Sequence, residues 1–533
     1  MRTLTCFAML QVLSSLSFGQ TRPLADTEAQ LEAQTQEAAR ALAAARAWRF
    51  EPSIRTMLTA TSNSGVSFSP TTPAKDVIVD IEPRLVVRGR GASFTLDGNL
   101  GVRGLIYANS SQENRLLPSG TIALNVNLLE RWLYVDTSAV VEQVAADPYT
   151  TRADQESSVN KINSFQYRIS PYLQHSFTPS LSLLLRSDNR WTKRRGEFIQ
   201  TDPRRDSVVE KDSLLFEQKP LPFGFSVEAA QETTSYVAGI QTVLQIGSAR
   251  AVASYAVDPT IVLAVVGGAE KSEYALTKST DNITGARISW APTERTEVKG
   301  SYERRFFGTG GSLQWNHRSP FVAFNLNLSR EPSALGTSFV LNPNGGNVQT
   351  LLDAIFTTRY PNPADRAVIV SNVISGLGIP SALGQPVEVF ADYAQLRNSA
   401  NISAVFQGIR STIAARVYAV KSRQLNQANT PFVPTLGIGA DNFQKGISVD
   451  LNRRLTPTLS ADLGIGYGVV EGLGAVAGQT TKNGAVRLGL TQALSAKTKA
   501  TVGARYLRTD LTAVGQDTSA KETAVFVGMT HSF

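Results

Sequence analysis

The chain has a single cysteine, Cys6, and only three histidines, His175, His317 and His531, among its 533 residues. A disulfide framework and a cysteine-held metal are thereby excluded, and acid–base chemistry has few places to reside. No uninterrupted apolar run reaches the roughly 18 residues that a membrane-crossing helix needs. With a mean hydropathy of −0.10, the chain is too polar for a bundle of such helices. Helix-forming Ala/Glu/Lys tracts are scarce after residue 50, while 40 glycines and abundant Ser, Thr, Asn, Val, Leu and Tyr favour strands and turns. No phosphate-binding glycine loop, zinc pair or calcium loop is present, so no cofactor is expected. The formal charge of +8 is spread among 44 acidic residues, with only short clusters such as Lys193-Arg-Arg195. Such interleaving argues against nucleic acid as a partner and suits basic loops facing anionic lipopolysaccharide.

What the chain does have begins with Met1-Arg2 and a mixed apolar stretch from Cys6 to Phe18, which reads as a signal peptide over residues 1–19. Ser17 and Gly19 fit cleavage just after Gly19, and Cys6 lies too early to be a lipoprotein acceptor. Residues 20–47 are rich in Ala, Gln and Glu from Asp26 onward and predict a short periplasmic helix or a polar tether.

From Trp48 the apolar period becomes two. Phe94, Leu96, Leu100, Val102 and Ile106 alternate with Thr95, Asp97, Asn99 and Arg103, and the pattern recurs at Val322–Leu328 and Leu459–Tyr467. A soluble sandwich alternates too. Three features favour a membrane barrel: strands of about ten residues, the length that crosses a bilayer at a tilt; aromatic residues at the ends of apolar faces (Tyr107, Tyr134, Trp191, Tyr302, Tyr467, Tyr506); and connections that alternate in length. Short turns at 88–91, 129–131, 178–180, 259–260, 291–294, 318–320, 455–458 and 494–497 face longer stretches such as 145–162, 191–222, 422–442 and 468–481. The sequence therefore predicts an all-β chain, a transmembrane antiparallel up-and-down β-barrel over residues 48–533. Counting back from Phe533 gives 22 strands within a range of about 18–22. The last strand, Thr523–Phe533, ends in an aromatic residue of the kind read by barrel-assembly machinery, so Phe533 is the expected membrane-insertion residue.

The interval 330–394 breaks the rhythm with two helix-like stretches, Val348–Phe356 and Ala364–Ser375. A connection this long is usually functional or disordered. Strand parity starts it on the outer side, and its apolar content predicts that it folds into or over the lumen as a constriction. The expected lumen-lining charges are Asp97, Arg103, Arg186, Asp188, Glu297, Lys299, Glu303, Arg305, Asp462 and Arg505. Opposite charges on one wall either pair and fix shape or form a ladder for a charged glycan. Adjacent strand residues point to opposite faces, so His175 and Ser176 are not expected to form a nucleophile–base pair.

Three passages carry a family resemblance: Trp48-Arg-Phe-Glu-Pro-Ser-Ile-Arg55 with Asp80-Ile-Glu-Pro-Arg-Leu85; Ile169-Ser-Pro-Tyr-Leu-Gln-His-Ser-Phe177; and Ser289–Gly308 with His317-Arg-Ser-Pro320. With Gly408–Ile413 and Thr530–Phe533, they resemble the outer-membrane β-barrel proteins associated with the PEP-CTERM/exosortase system, encoded beside exopolysaccharide synthesis and export genes. The resemblance implies a non-enzymatic barrel of the bacterial outer membrane, with lipid, lipopolysaccharide and exopolysaccharide export components as partners. It transfers no active-site residue. The alternatives are a general diffusion porin or structural barrel and, further off, an outer-membrane hydrolase.

Overall fold

A strand that alternates apolar and polar residues has one dry and one wet face, and in hydrocarbon its backbone must find partners on both edges. Closure into a barrel meets both needs. The computed structural model describes residues 48–65, 74–144, 149, 160, 162–195, 206–236, 242–274, 277–333, 348–357, 370, 386, 393–425, 441–513 and 516–533. The expected signal peptide, the segment 20–47 and nearly all of the helix-like stretch Ala364–Ser375 lie outside these residues.

Among the described residues there are 22 strands. They are β1 (Trp48–Thr61), β2 (Asp76–Arg90), β3 (Phe94–Tyr107), β4 (Arg115–Leu129), β5 (Leu133–Val144), β6 (Ile162–Ser176), β7 (Leu181–Arg195), β8 (Ser207–Gln218), β9 (Phe223–Tyr236), β10 (Thr242–Asp258) and β11 (Ile261–Tyr274). The second half comprises β12 (Thr277–Thr293), β13 (Thr296–Arg305), β14 (Gly308–Arg318), β15 (Val322–Ser333), β16 (Gln395–Gln407), β17 (Ser411–Gln424), β18 (Asn442–Arg454), β19 (Leu459–Gly472), β20 (Thr480–Ala493), β21 (Thr498–Ala513) and β22 (Gln516–Ser532). Helix α1 (Val348–Phe356) sits between β15 and β16. Each strand pairs with its sequence neighbours, and β22 also pairs antiparallel with β1, from Ser53 opposite Ser532 to Thr61 opposite Ala524. The Phe533 N–H donates to Pro52 O at 3.0 Å and extends that seam. Residues Phe50–Phe533 form one compact unit.

The polarity of this barrel is inside out. On β22, Val525, Val527 and Met529 are 58%, 53% and 47% exposed, while Glu522 on the opposite face is fully buried. Leu488 and Val265 are likewise exposed on outward faces, and Ser403 and Asp80 are buried on inward ones. A dry exterior around a polar interior is stable only in lipid, which makes this an outer-membrane barrel.

Every connection from an even-numbered to the next odd-numbered strand has two to four residues. Five share one device. The side-chain oxygen of Thr178, Asp258, Ser319, Thr456 or Ser495 accepts the N–H three residues later, from Leu181, Ile261, Val322, Leu459 or Thr498. Ser, Thr and Asp close such turns because a short side chain mimics the next backbone carbonyl. At Asp258 the hydroxyl and N–H of Thr260, with the N–H of Ile261, hold the carboxyl below its ordinary range. These turns mark the periplasmic rim, where β1 begins and β22 ends.

The outer rim departs from the expected alternation. The β11–β12, β13–β14 and β21–β22 connections have only two residues each, although others are long. At Phe306–Phe307 the reversal is completed by Gly308 with φ +94°, a conformation a side chain would disfavour. The expected long connection at 191–222 is also corrected. Strand β7 runs to Arg195 and β8 fills Ser207–Gln218, whose run Glu210-Lys-Asp212 carries charge on both faces and hides the period. Two aromatic assignments change as well. Tyr107 shares the parity of Arg103 and is buried on the inner wall, and Tyr134 stacks on inward Tyr172 with centroids 5.0 Å apart. Trp191, Tyr302, Tyr467 and Tyr506 take the outward parity, and the last three are exposed.

Candidate functional site

The inner wall is built by strand parity, and all ten charges expected to line the lumen stand on it. Nine of them are ion-paired among the described residues. On β1–β3, Asp80 accepts Arg103 Nε and Nη2 at 2.8 and 2.6 Å and Arg55 Nη2 at 3.1 Å, while Glu82 holds Arg55 and Arg84. On β5–β7, Arg186 donates to Asp136 at 2.5 Å and lies 4.3 Å above the Tyr172 ring, and Asp188 holds Arg168 and Arg190. On β9–β13, Glu303 binds both Arg250 and Arg287 at 3.1 Å, and Arg287 reaches on to Glu228. Arg305 donates to Glu270 at 2.9 and 2.7 Å, and the other Glu270 oxygen accepts the Phe306 N–H at 2.7 Å. Where β21 and β22 meet β1, Glu522 accepts Arg505 at 2.9 Å and the Thr61 hydroxyl at 2.6 Å. Nearer the periplasmic rim, Asp97 pairs with Arg90 at 3.0 Å and Glu297 with Lys299 at 2.5 Å.

Arginine suits these places because its fork can satisfy two acceptors at once. Most pairs join different strands, so they fix the curvature of the wall rather than leave charge free for a ladder. Removing one partner of a desolvated pair is costly because its mate stays buried and uncompensated. Glu270 is fully buried and anchors the β13–β14 turn. Glu270→Gln is expected to lower the barrel's stability by about 3–5 kcal/mol, read as an earlier urea midpoint of the detergent-folded protein; an unchanged midpoint would mean that Arg305 is solvated in the lumen.

Asp462 is the exception. It makes no ion pair among the described residues, and neither does Asp450, whose strand neighbour Asn452 lies opposite Asp462. Arg487 enters the lumen from β20 with its guanidinium 5.0 Å from the Phe526 ring. The sequence gives Asp450 no more prominence than any other carboxylate.

The arc from β14 to β18 differs from the rest of the wall in carrying mainly amides and hydroxyls. Asn325 donates to Asn316 at 2.6 Å, Ser329 and Ser399 share a 2.6 Å bond, and Arg416 donates to Asn401 at 2.7 Å. Asn325 Oδ1, Ser403 Oγ and Ser448 Oγ are buried without a hydrogen-bond partner among the described residues. On the outer rim above this arc, burial pushes the Asp441 carboxyl up, against the lowering bonds from the Tyr393 hydroxyl at 3.1 Å and the Gln424 N–H at 2.8 Å.

Helix α1 is seated on this arc. Its Leu351, Leu352 and Ile355 share one face by helical spacing and are buried against Ala323, Val405 and Ala414. Those wall residues belong to the inner faces of β15, β16 and β17 and lie within four residues of the periplasmic turns. The connection therefore leaves β15 at the outer rim and carries α1 down to the periplasmic half of the lumen. A cavity at that level is lined by Leu351 and Ala354 of the helix and by Glu297, Asn316 and Asn325 of the wall.

The histidines are interfacial. His175 stacks on Trp132 at 3.7 Å on the outward face of β6, with Ser176 on the other face. His317 Nδ1 meets the Thr296 hydroxyl at 2.8 Å, and His531 Nδ1 meets that of Thr498 at 2.9 Å. None of the three forms a nucleophile–base–orienter set among the described residues, and no group of three or more His, Cys, Asp or Glu there is placed to hold a metal ion.

No protein-family model matches the chain, and no curated protein matches it in sequence. Among solved structures it is similar to the siderophore receptor PiuA from Acinetobacter baumannii, at 8% identity and a TM-score of 0.46 over 90% of this chain and 82% of that one. It is similar also to the FrpB iron transporter from Neisseria meningitidis, at 10% identity and 0.46 over 91% and 82%. A third is the siderophore receptor PirA from Acinetobacter baumannii, at 9% and 0.41 over 91% and 80%. These are distant likenesses between large barrels and carry nothing about ligand.

Proposed function

We propose that this barrel serves exopolysaccharide or other surface-polymer export in a PEP-CTERM/exosortase-type system, as a passage or structural component, with the 330–394 connection as its gate or plug. The observation that carries the reading is the apolar seat for α1 within the amide- and hydroxyl-bearing arc of the inner wall. Ala323, Val405 and Ala414 have no use in a water-filled lumen unless something dry covers them. The amide and hydroxyl arc beside the seat supports a hydroxyl-rich cargo, which can donate to and accept from such groups at many points. Paired charges elsewhere leave the wall without a strong field of either sign, which suits a bulky polymer better than a small ion. The resemblance of residues 48–533 to barrels encoded beside exopolysaccharide genes points the same way.

The test is genetic. A strain lacking the gene is expected to lose surface polymer and accumulate it in the periplasm, with restoration by the wild-type chain. Unchanged surface polymer in that strain would end the export reading and leave a diffusion porin or structural barrel.

A further inference from the structure

Strand register resolves the outward face of β18–β22 into rows. In the row of Tyr506, Ile465 is opposite Val486, Val486 opposite Tyr506 and Tyr506 opposite Thr523, an apolar and aromatic level. One step toward the outer rim, Arg508 stands directly opposite Lys521. One step further, Lys445 is opposite Val469, Val469 opposite Lys482, and Lys482 opposite Asp510. Four cations thus crown the lipid-facing band over five strands. Two of them are answered: Arg508 Nε meets Asp510 at 2.9 Å, and Lys445 meets Glu471 at 2.8 Å. Lys482 and Lys521 are exposed and make no ion pair among the described residues.

Like charges directly opposite on antiparallel strands repel each other, and Asp510 answers Arg508 but not Lys521 or Lys482, so the patch keeps an excess of positive charge that a further anion would meet. The level of the patch indicates which anion. Tyr467 stands in the Arg508 row and Tyr506 and Val486 one row beneath, the two tyrosines exposed at the interfacial position of an aromatic girdle, with Leu488, Val502 and Val525 exposed further below. A molecule that set phosphate on the cations and acyl chains along that apolar wall would match both surfaces.

We infer that Lys482, Arg508 and Lys521, with Lys445 at the edge, form a docking surface for the phosphorylated head of an outer-leaflet glycolipid, whose acyl chains lie against β19–β22. This surface is independent of the lumen and of any cargo. Arginine and lysine bind phosphate through charge-assisted hydrogen bonds, strongest where acyl chains and side chains exclude water.

The experiment uses the full-length chain in mild detergent, probed by native mass spectrometry with bis-phosphorylated lipid A, dephosphorylated lipid A and inorganic phosphate. Wild type is expected to retain bis-phosphorylated lipid A, and the triple variant Lys482→Gln, Arg508→Gln, Lys521→Gln to lose about tenfold or more in affinity. Dephosphorylated lipid A and inorganic phosphate should each bind weakly. A control that removes two outward cations elsewhere, Lys278→Gln with Arg304→Gln, should bind as wild type. Should the triple variant fail to give the compact, heat-modifiable band of a folded barrel, Lys521→Gln alone serves, since that side chain makes no ion pair among the described residues. Equal retention by wild type and the folded variant, or equal retention of both lipid A forms, would overturn the inference.

Discussion

Removing residues 335–390 is expected to raise single-channel conductance in planar bilayers several-fold over the intact chain. Barrels of 16–18 strands already enclose an aqueous channel, and a ring of 22 is wider still, so an unobstructed lumen would conduct strongly. Among the described residues the proposed obstruction is α1, which packs on β15 and β16 at the periplasmic half of the inner wall. The deletion leaves the β15–β16 ladder intact, because their pairing runs from Val322 opposite Phe406 to Ser333 opposite Gln395, outside the removed segment. The barrel should therefore still fold, and the current should report the lumen alone. If the conductance stayed at the wild-type level, the connection would not be a constriction.

The second large effect concerns closure. A chain ending before Gln516 loses β22, which pairs with β21 from Thr498 opposite His531 to Ala513 opposite Gln516 and with β1 over Ser53–Thr61. Both edges would then present bare N–H and C=O groups to hydrocarbon, each costing several kcal/mol. The seam also loses the fully buried Glu522, leaving Arg505 without its carboxylate. Such a chain is expected to yield no heat-modifiable barrel in the outer membrane, on gels of unboiled membranes. A folded, membrane-inserted product would show that the closing strand is dispensable.

Much of this architecture is legible in the sequence because a strand's period is two. Once Leu100 and Val102 are taken as lipid-facing, Asp97 and Arg103 must face inward, and the same parity places Glu303, Arg305 and Arg505. Helix α1 is legible because Leu351, Leu352 and Ile355 fit a period of 3.6 amid a run without strand alternation. Partners are not legible. Arg186 finds Asp136 two strands away, Arg250 finds Glu303 three strands away, and Thr61 meets Glu522 across the closure. Such pairs depend on register and barrel curvature, which no local pattern states. Tyr107 and Tyr134 show a second limit. An aromatic residue at the end of a strand belongs to the girdle only if its parity is outward, and both follow the inward set. Strand β8 is hard to read because Glu210 and Asp212 put charge on the outward parity of its outer half, where the strand has no dry face.

Helix α1, held by its seat, is proposed to constrict the lumen of this outer-membrane barrel. Leu352 of α1 is fully buried against that seat. Leu352→Asp places a charge against Ala323, Val405 and Ala414 while keeping every other residue of the chain. Its single-channel conductance, recorded beside the intact chain in the same bilayer, should rise toward that of the 335–390 deletion. A conductance equal to the intact chain's, in a variant that still runs as a folded barrel, would contradict the claim.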